Sequence, residues 1–119
     1  GMKQKARQYG EIVAVTCRKD GNDLLQPSLT DLLGLQKTIL AKMRSATRVL
    51  YEIGEGDRKQ PCVVAVRAVE TKAFLKAQVA DIPWSTLQET ANQIVKECSN
   101  VSSVYYDVTP KPPATIEME

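Results

Sequence analysis

Polar and basic residues fill positions 1 to 10, GMKQKARQYG, with no apolar period, and predict a flexible basic arm. The apolar, β-branched run Ile12 to Cys17, IVAVTC, is bounded by Gly10 and by the turn-rich RKDGND, and predicts a buried strand. A helix follows. Pro27 stands at its entry, Ser28 is placed to cap it with Asp31 three residues on, and Leu29, Leu32, Leu33, Ile39, Leu40 and Met43 form a helical stripe broken by Gln36. After Ser45-Ala46, TRVLYEI returns to strand composition and stops at Gly54-Glu55-Gly56-Asp57, which reads as a hairpin turn.

The same order then recurs. Val63-Val64-Ala65-Val66 matches Ile12-Val13-Ala14-Val15 at an offset of 51, and Val104-Tyr105-Tyr106-Asp107-Val108 matches Val49-Leu50-Tyr51-Glu52-Ile53 at an offset of 55. The difference of four falls in the connection TKAFLKAQVADIP. Between the matched strands lies a second helix, with Ser85 and Gln88 as its capping pair and Leu87, Ala91, Ile94, Val95 and Cys98 on its apolar face. Two strand-helix-strand units give βαββαβ, and the fold expected is α+β of the ferredoxin-like, split βαβ kind: an antiparallel four-stranded sheet with both helices on one face. One domain over 11–119 is expected, with repeat halves at about 11–56 and 61–109 and a tail at 110–119 that adds a short strand or lies extended.

Composition narrows the chemistry. With 119 residues and 43% apolar, the chain is one ordinary globular domain. A net charge of +2 is too small to argue for nucleic-acid binding. There is no histidine, which excludes imidazole-activated nucleophiles and histidine-ligated zinc within these residues. The three cysteines, Cys17, Cys62 and Cys98, lack CxxC spacing and read as reduced thiols, Cys62 and Cys98 as small core residues; a cytoplasmic location follows, with no membrane span. Phosphate-loop, dinucleotide, HExxH and nucleophile-elbow signatures are absent, so no catalytic residue and no metal ligand is assigned.

The C-terminal segment is different in kind. In Thr109-Pro110-Lys111-Pro112-Pro113-Ala114-Thr115, prolines stiffen an extended run and hold Lys111 where its ammonium is a phosphate ligand at low entropic cost, although composition alone also describes a polyproline-like end to the domain. From Val63 the chain also carries Val63-Val64-Ala65-Val66-Arg67-Ala68-Val69-Glu70-Thr71, Phe74, Pro83-Trp84, and Val104 through Glu117 with Glu119. These resemble the C-terminal dimerisation domain of glutamine-hydrolysing GMP synthetase, whose strand reads VVxLRAVET and whose chain ends in KPPATIEWE. Gly54 to Lys59 is loosely similar to that family's GDxRxY turn, and residues 1 to 46 offer no match. This chain departs from the pattern at Ala73-Phe74-Leu75-Lys76 for Asp-Phe-Met-Thr, at Ser103 for an arginine, and at Met118 for tryptophan.

The resemblance implies a homodimerising domain whose tail helps to form an XMP pocket. Lys111 would face the nucleotide phosphate, Thr115, Ile116 and Glu117 would make pocket contacts, and Arg67 and Glu70 would be interface or pocket-wall residues; their plainer reading is an ordinary ion pair at a strand end. It also implies amidotransferase and ATP pyrophosphatase partners. Those domains, which would hold ATP and magnesium, are not within these residues, so this chain carries no cofactor and is not expected to make GMP alone. Three roles remain open: a stand-alone or split GMP-synthetase module for assembly and binding of XMP or GMP, a small regulatory metabolite- or protein-binding module, and an enzyme subunit completed in trans.

Overall fold

The computed structural model describes residues 10–20, 23–73 and 76–110. In chain order the elements are β1 (Glu11–Val15), β2 (Arg18–Lys19), β3 (Asp23–Leu24), α1 (Leu29–Lys42), β4 (Ala46–Glu55), β5 (Cys62–Val66), β6 (Val69–Ala73), β7 (Lys76–Val79), α2 (Trp84–Glu97) and β8 (Val101–Asp107). The main sheet has the order β1-β4-β8-β5. Its class is α+β and its βαββαβ order is consistent with a ferredoxin-like arrangement. The pairing is mixed: β1 with β4 and β5 with β8 are parallel, and only the central β4–β8 pair is antiparallel, where the repeat alone suggests an antiparallel sheet throughout. The reason is that each strand-helix-strand unit keeps its two strands side by side, with no strand of the other unit inserted between them, and a crossover makes such neighbours parallel.

Both helices cover one face of this sheet. Leu32 of α1 and Leu87 and Ala91 of α2 share a single core cluster with Val49, Tyr51 and Ile53 of β4, with Val101, Val104 and Tyr106 of β8, and with Val108 just beyond it. Val49 and Val104 are fully buried, as their matching places in the repeat require. Ser28 caps α1 as expected, accepting from the Asp31 backbone N–H at 3.2 Å. In α2 the cap position is Pro83 rather than the expected Ser85, which lies inside the first turn.

The internal repeat extends to the backbone hydrogen bonds. Glu11 N–H donates to Ser45 O and Cys62 N–H to Asn100 O; Leu25 N–H donates to Cys17 O and Ala80 N–H to Ala68 O; Met43 N–H donates to Ile39 O and Cys98 N–H to Ile94 O. Each pair joins equivalent residues of the two halves. The pseudo-dyad runs through the centre of the sheet, where Tyr51 and Tyr106 stand directly opposite each other. Each tyrosine hydroxyl donates into its own half's strand-to-helix connection, Tyr51 to Leu25 O at 3.0 Å and Tyr106 to Ala80 O at 2.7 Å.

Three further expectations change. The segments RKDGND and TKAFLKAQVADIP have the composition of connections, yet they carry the two-stranded ladders β2–β3 and β6–β7. Gly54 to Asp57 is not a hairpin turn, because β4 and β5 are separated in the sheet by β8 and the chain must cross it. Gly56 makes that crossing possible: a Cβ there would lie 2.4 Å from Val101 O. Cys62 and Cys98 are exposed, one at the start of an edge strand and the other at the C-cap of α2, whereas Cys17 packs partly against the core. The arm at 1–9 and the tail at 111–119 lie outside the described residues.

Candidate functional site

Among the described residues, a cluster of buried polar side chains gathers at the end of β8. Asp107 lies on the sheet face away from the helices, at 5% exposure. Its Oδ2 accepts from Arg48 Nη1 at 3.1 Å and from Arg67 Nη1 at 3.2 Å, and its Oδ1 accepts from the Thr109 backbone N–H at 2.9 Å. Thr109, 1% exposed, accepts the Val49 N–H at its Oγ1 (2.7 Å) and donates the same hydroxyl to Val49 O (3.3 Å). Val108 N–H adds a bond to Val49 O at 3.0 Å.

Local sequence explains the placement. Arg48 comes from β4 two residues before Leu50, the residue opposite Asp107, and so reaches it diagonally; Arg67 follows β5, the parallel neighbour of β8. Asp107-Val108-Thr109 folds as an Asx-type turn in which the carboxylate bonds the backbone two residues on. Both guanidiniums are mostly buried, at 14% and 17% side-chain exposure, so their pairing with Asp107 is far less screened than a surface ion pair. Asp107 is thus bonded by two guanidiniums from two different strands of the sheet. On the other face, burial first, and then the charges of Asp81, Asp107 and Glu70, push the Tyr106 phenol up to about 12. Tyr106 also lines a cleft of about 200 Å³ between the starts of α1 and α2, with Ser28, Asp81 and Trp84.

Of the residues singled out from sequence, Arg67 is in this cluster. Glu70 is exposed on β6, opposite Gln78 of β7. Lys111, Thr115, Ile116 and Glu117 lie outside the described residues, which end at Pro110, three positions beyond Asp107. Asp107, Arg48 and Thr109 are additions that the sequence reading misses. A signal for Asp107 exists, since the repeat aligns it with Glu52 and two carboxylates at one place in a β-branched, aromatic strand are unusual. Among the described residues no group of three or more His, Cys, Asp or Glu side chains is placed to hold a metal ion, and no helix is long and apolar enough to cross a membrane.

Residues 53–118 match the family model described as the GMP synthase C-terminal domain. The chain belongs to that family. Similarity to proteins named as one subunit of glutamine-hydrolysing GMP synthase extends it to the first half: the protein from Sulfurisphaera tokodaii is 35% identical over 121 residues, covering 100% of this chain and 29% of the relative. The corresponding GMP synthase subunit from Methanocella arvoryzae is 32% identical over 95% of this chain and 36% of its own length. The glutamine-hydrolysing GMP synthase of Cellvibrio japonicus is 48% identical over 67 residues, 56% of this chain and 13% of the relative. The chain thus spans little more than a third, at most, of these relatives. The GMP synthase C-terminal domain match begins at Ile53, so β1, α1 and most of β4 are related through the two separately named subunits.

Proposed function

We propose that these residues form an assembly and nucleotide-binding module of GMP biosynthesis that works with amidotransferase and ATP pyrophosphatase domains lying outside them and performs no catalysis alone. The observation that carries it is similarity along the whole chain to proteins named as one subunit of GMP synthase. In this reading Lys111 meets the phosphate of a purine mononucleotide, XMP or GMP, with Thr115, Ile116 and Glu117 lining the pocket. Ser103, where the family carries an arginine, removes one cation, and binding by the isolated domain is expected in the millimolar range. The module pairs with a second copy through the sheet face away from the helices, whose edge strands expose Ile12 and Val63.

Calorimetry and chemical-shift mapping with XMP, GMP and IMP test the reading. Shifts confined to residues 109 to 119, and binding at least roughly tenfold weaker in Lys111→Ala, are the expected result. Absence of shifts at millimolar XMP, or equal binding by the variant, overturns the nucleotide reading. Light scattering at tens of micromolar reads the pairing, and a monomeric mass would count against it.

A further inference from the structure

The pseudo-dyad supplies an internal reference for the Asp107 cluster. Its equivalent in the first half is Glu52, also on the face away from the helices and 3% exposed. Glu52 Oε1 accepts from Thr16 Oγ1 at 2.7 Å, and its Oε2 has no hydrogen-bond partner. Thr16 stands where the second half has Arg67, and Ser103 stands where the first half has Arg48. A strand-helix-strand unit of this design therefore closes around a buried carboxylate with one hydroxyl for company. The two guanidiniums and the doubly bonded Thr109 exceed what the fold needs there. They occur only where the chain leaves the sheet toward residues 110–119; in the first half the equivalent place runs on through Gly54 into the crossing to β5.

We propose that Asp107, with Arg48, Arg67 and Thr109, is a positioning device that fixes the direction in which the C-terminal segment leaves β8 and so sets how tightly that segment holds a phosphate group. The proposal deepens the nucleotide reading and rests on it. Asp107 Oδ1 and Val49 tie down the backbone through Thr109, and Pro110 follows with its own φ fixed. A segment launched from a fixed origin loses less entropy when its cation is placed than one whose origin swings.

The experiment compares Asp107→Asn, Thr109→Val and Thr109→Ser with Glu52→Gln, reading XMP affinity together with backbone ¹⁵N order parameters at residues 110 to 119. Asp107→Asn and Thr109→Val are expected to weaken XMP binding about tenfold and to lower the order parameters, while Thr109→Ser, which keeps the hydroxyl, and Glu52→Gln stay within about twofold of the parent. Should Asp107→Asn fail to fold, the Thr109 pair decides alone. Thr109→Val binding like Thr109→Ser, with a parent that does bind, overturns the positioning role and leaves the nucleotide reading standing. A parent that binds no XMP removes the nucleotide reading; unchanged order parameters at residues 110 to 113 in Thr109→Val would then overturn the positioning device as well.

Discussion

The two halves share strand register, helix ends and tyrosine bonds, yet they deploy their buried polar groups differently. In α1 the residue facing the sheet at the repeat's mid-helix position is Gln36, 3% exposed with its Oε1 lacking a hydrogen-bond partner; in α2 it is Ala91, fully buried. Ala91 lies so close to β4 that a Cβ on Gly54 would come within 2.5 Å of it. As a result α2 packs against both central strands, whereas α1 packs on β4. One half carries the tight helix-to-sheet contact and the clamped carboxylate, and the other tolerates an unpaired amide oxygen and an unpaired carboxylate oxygen.

The largest test of this contrast is at the carboxylates. Asp107→Asn removes the carboxylate charge that both mostly buried guanidiniums bond and should cost about 3 kcal/mol, while Glu52→Gln, with one hydroxyl bond affected, should cost under about 1 kcal/mol. Urea unfolding of both variants checks it, and equal losses would break the asymmetry. At the helices the expected effects differ in sign. Ala91→Leu has nowhere to place its added carbons against Gly54 and should destabilise by about 1 to 3 kcal/mol. Gln36→Leu removes a buried amide oxygen with no partner and should be neutral or stabilising by about 1 kcal/mol. Thermal melts followed by circular dichroism suffice.

The smallest effect concerns what the halves share. Tyr51→Phe and Tyr106→Phe should each cost about 1 kcal/mol at neutral pH, since each loses an equivalent bond to a backbone carbonyl, Tyr106 with a longer second one to Ala68 O at 3.4 Å. Burial raises both phenol pKa values, Tyr106 to about 12, with charge from Cys17 and Glu52 adding at Tyr51 and from Asp81, Asp107 and Glu70 at Tyr106. The folded protein therefore holds these protons after the unfolded chain has released them. Stability from this source is complete below about pH 10 and declines as pH rises toward about 12. Each phenylalanine variant should show a shallower decline than the parent between about pH 10 and 12, and an unchanged slope would remove the tyrosine from the account.

Much of the scaffold is legible because it follows apolar periodicity and repetition. Val49, Tyr51, Val104 and Tyr106 sit in the core at the places their spacing gives, and the Ser28 cap is local chemistry. Pairing direction is not legible, because alternation along a strand carries no record of its neighbour's direction. Cys62 and Cys98 read as core from their flanks, but an edge strand and a C-cap turn them outward. The Asp107 cluster escapes because Arg48 and Arg67 meet it from 59 and 40 positions away, and a single chain does not announce contacts at that separation. The family segment points past it, to the residues that follow.

The β4–β8 ladder is the only strand pairing between the halves among the described residues, and it has a kinetic consequence. Each half forms its parallel pair across one helix, but a lone two-stranded pair with one helix is too small to persist in water. The partners in the central ladder, Tyr51 and Tyr106 among them, are separated by about fifty residues, so ring closure precedes any reward from Val49, Val104 and Gly54 meeting α2. The rate-limiting event in refolding is then the encounter of two half-formed units, an intramolecular counterpart of dimer association, and lengthening the turn at Asp57 to Gln60 should slow refolding while barely changing the rate of unfolding.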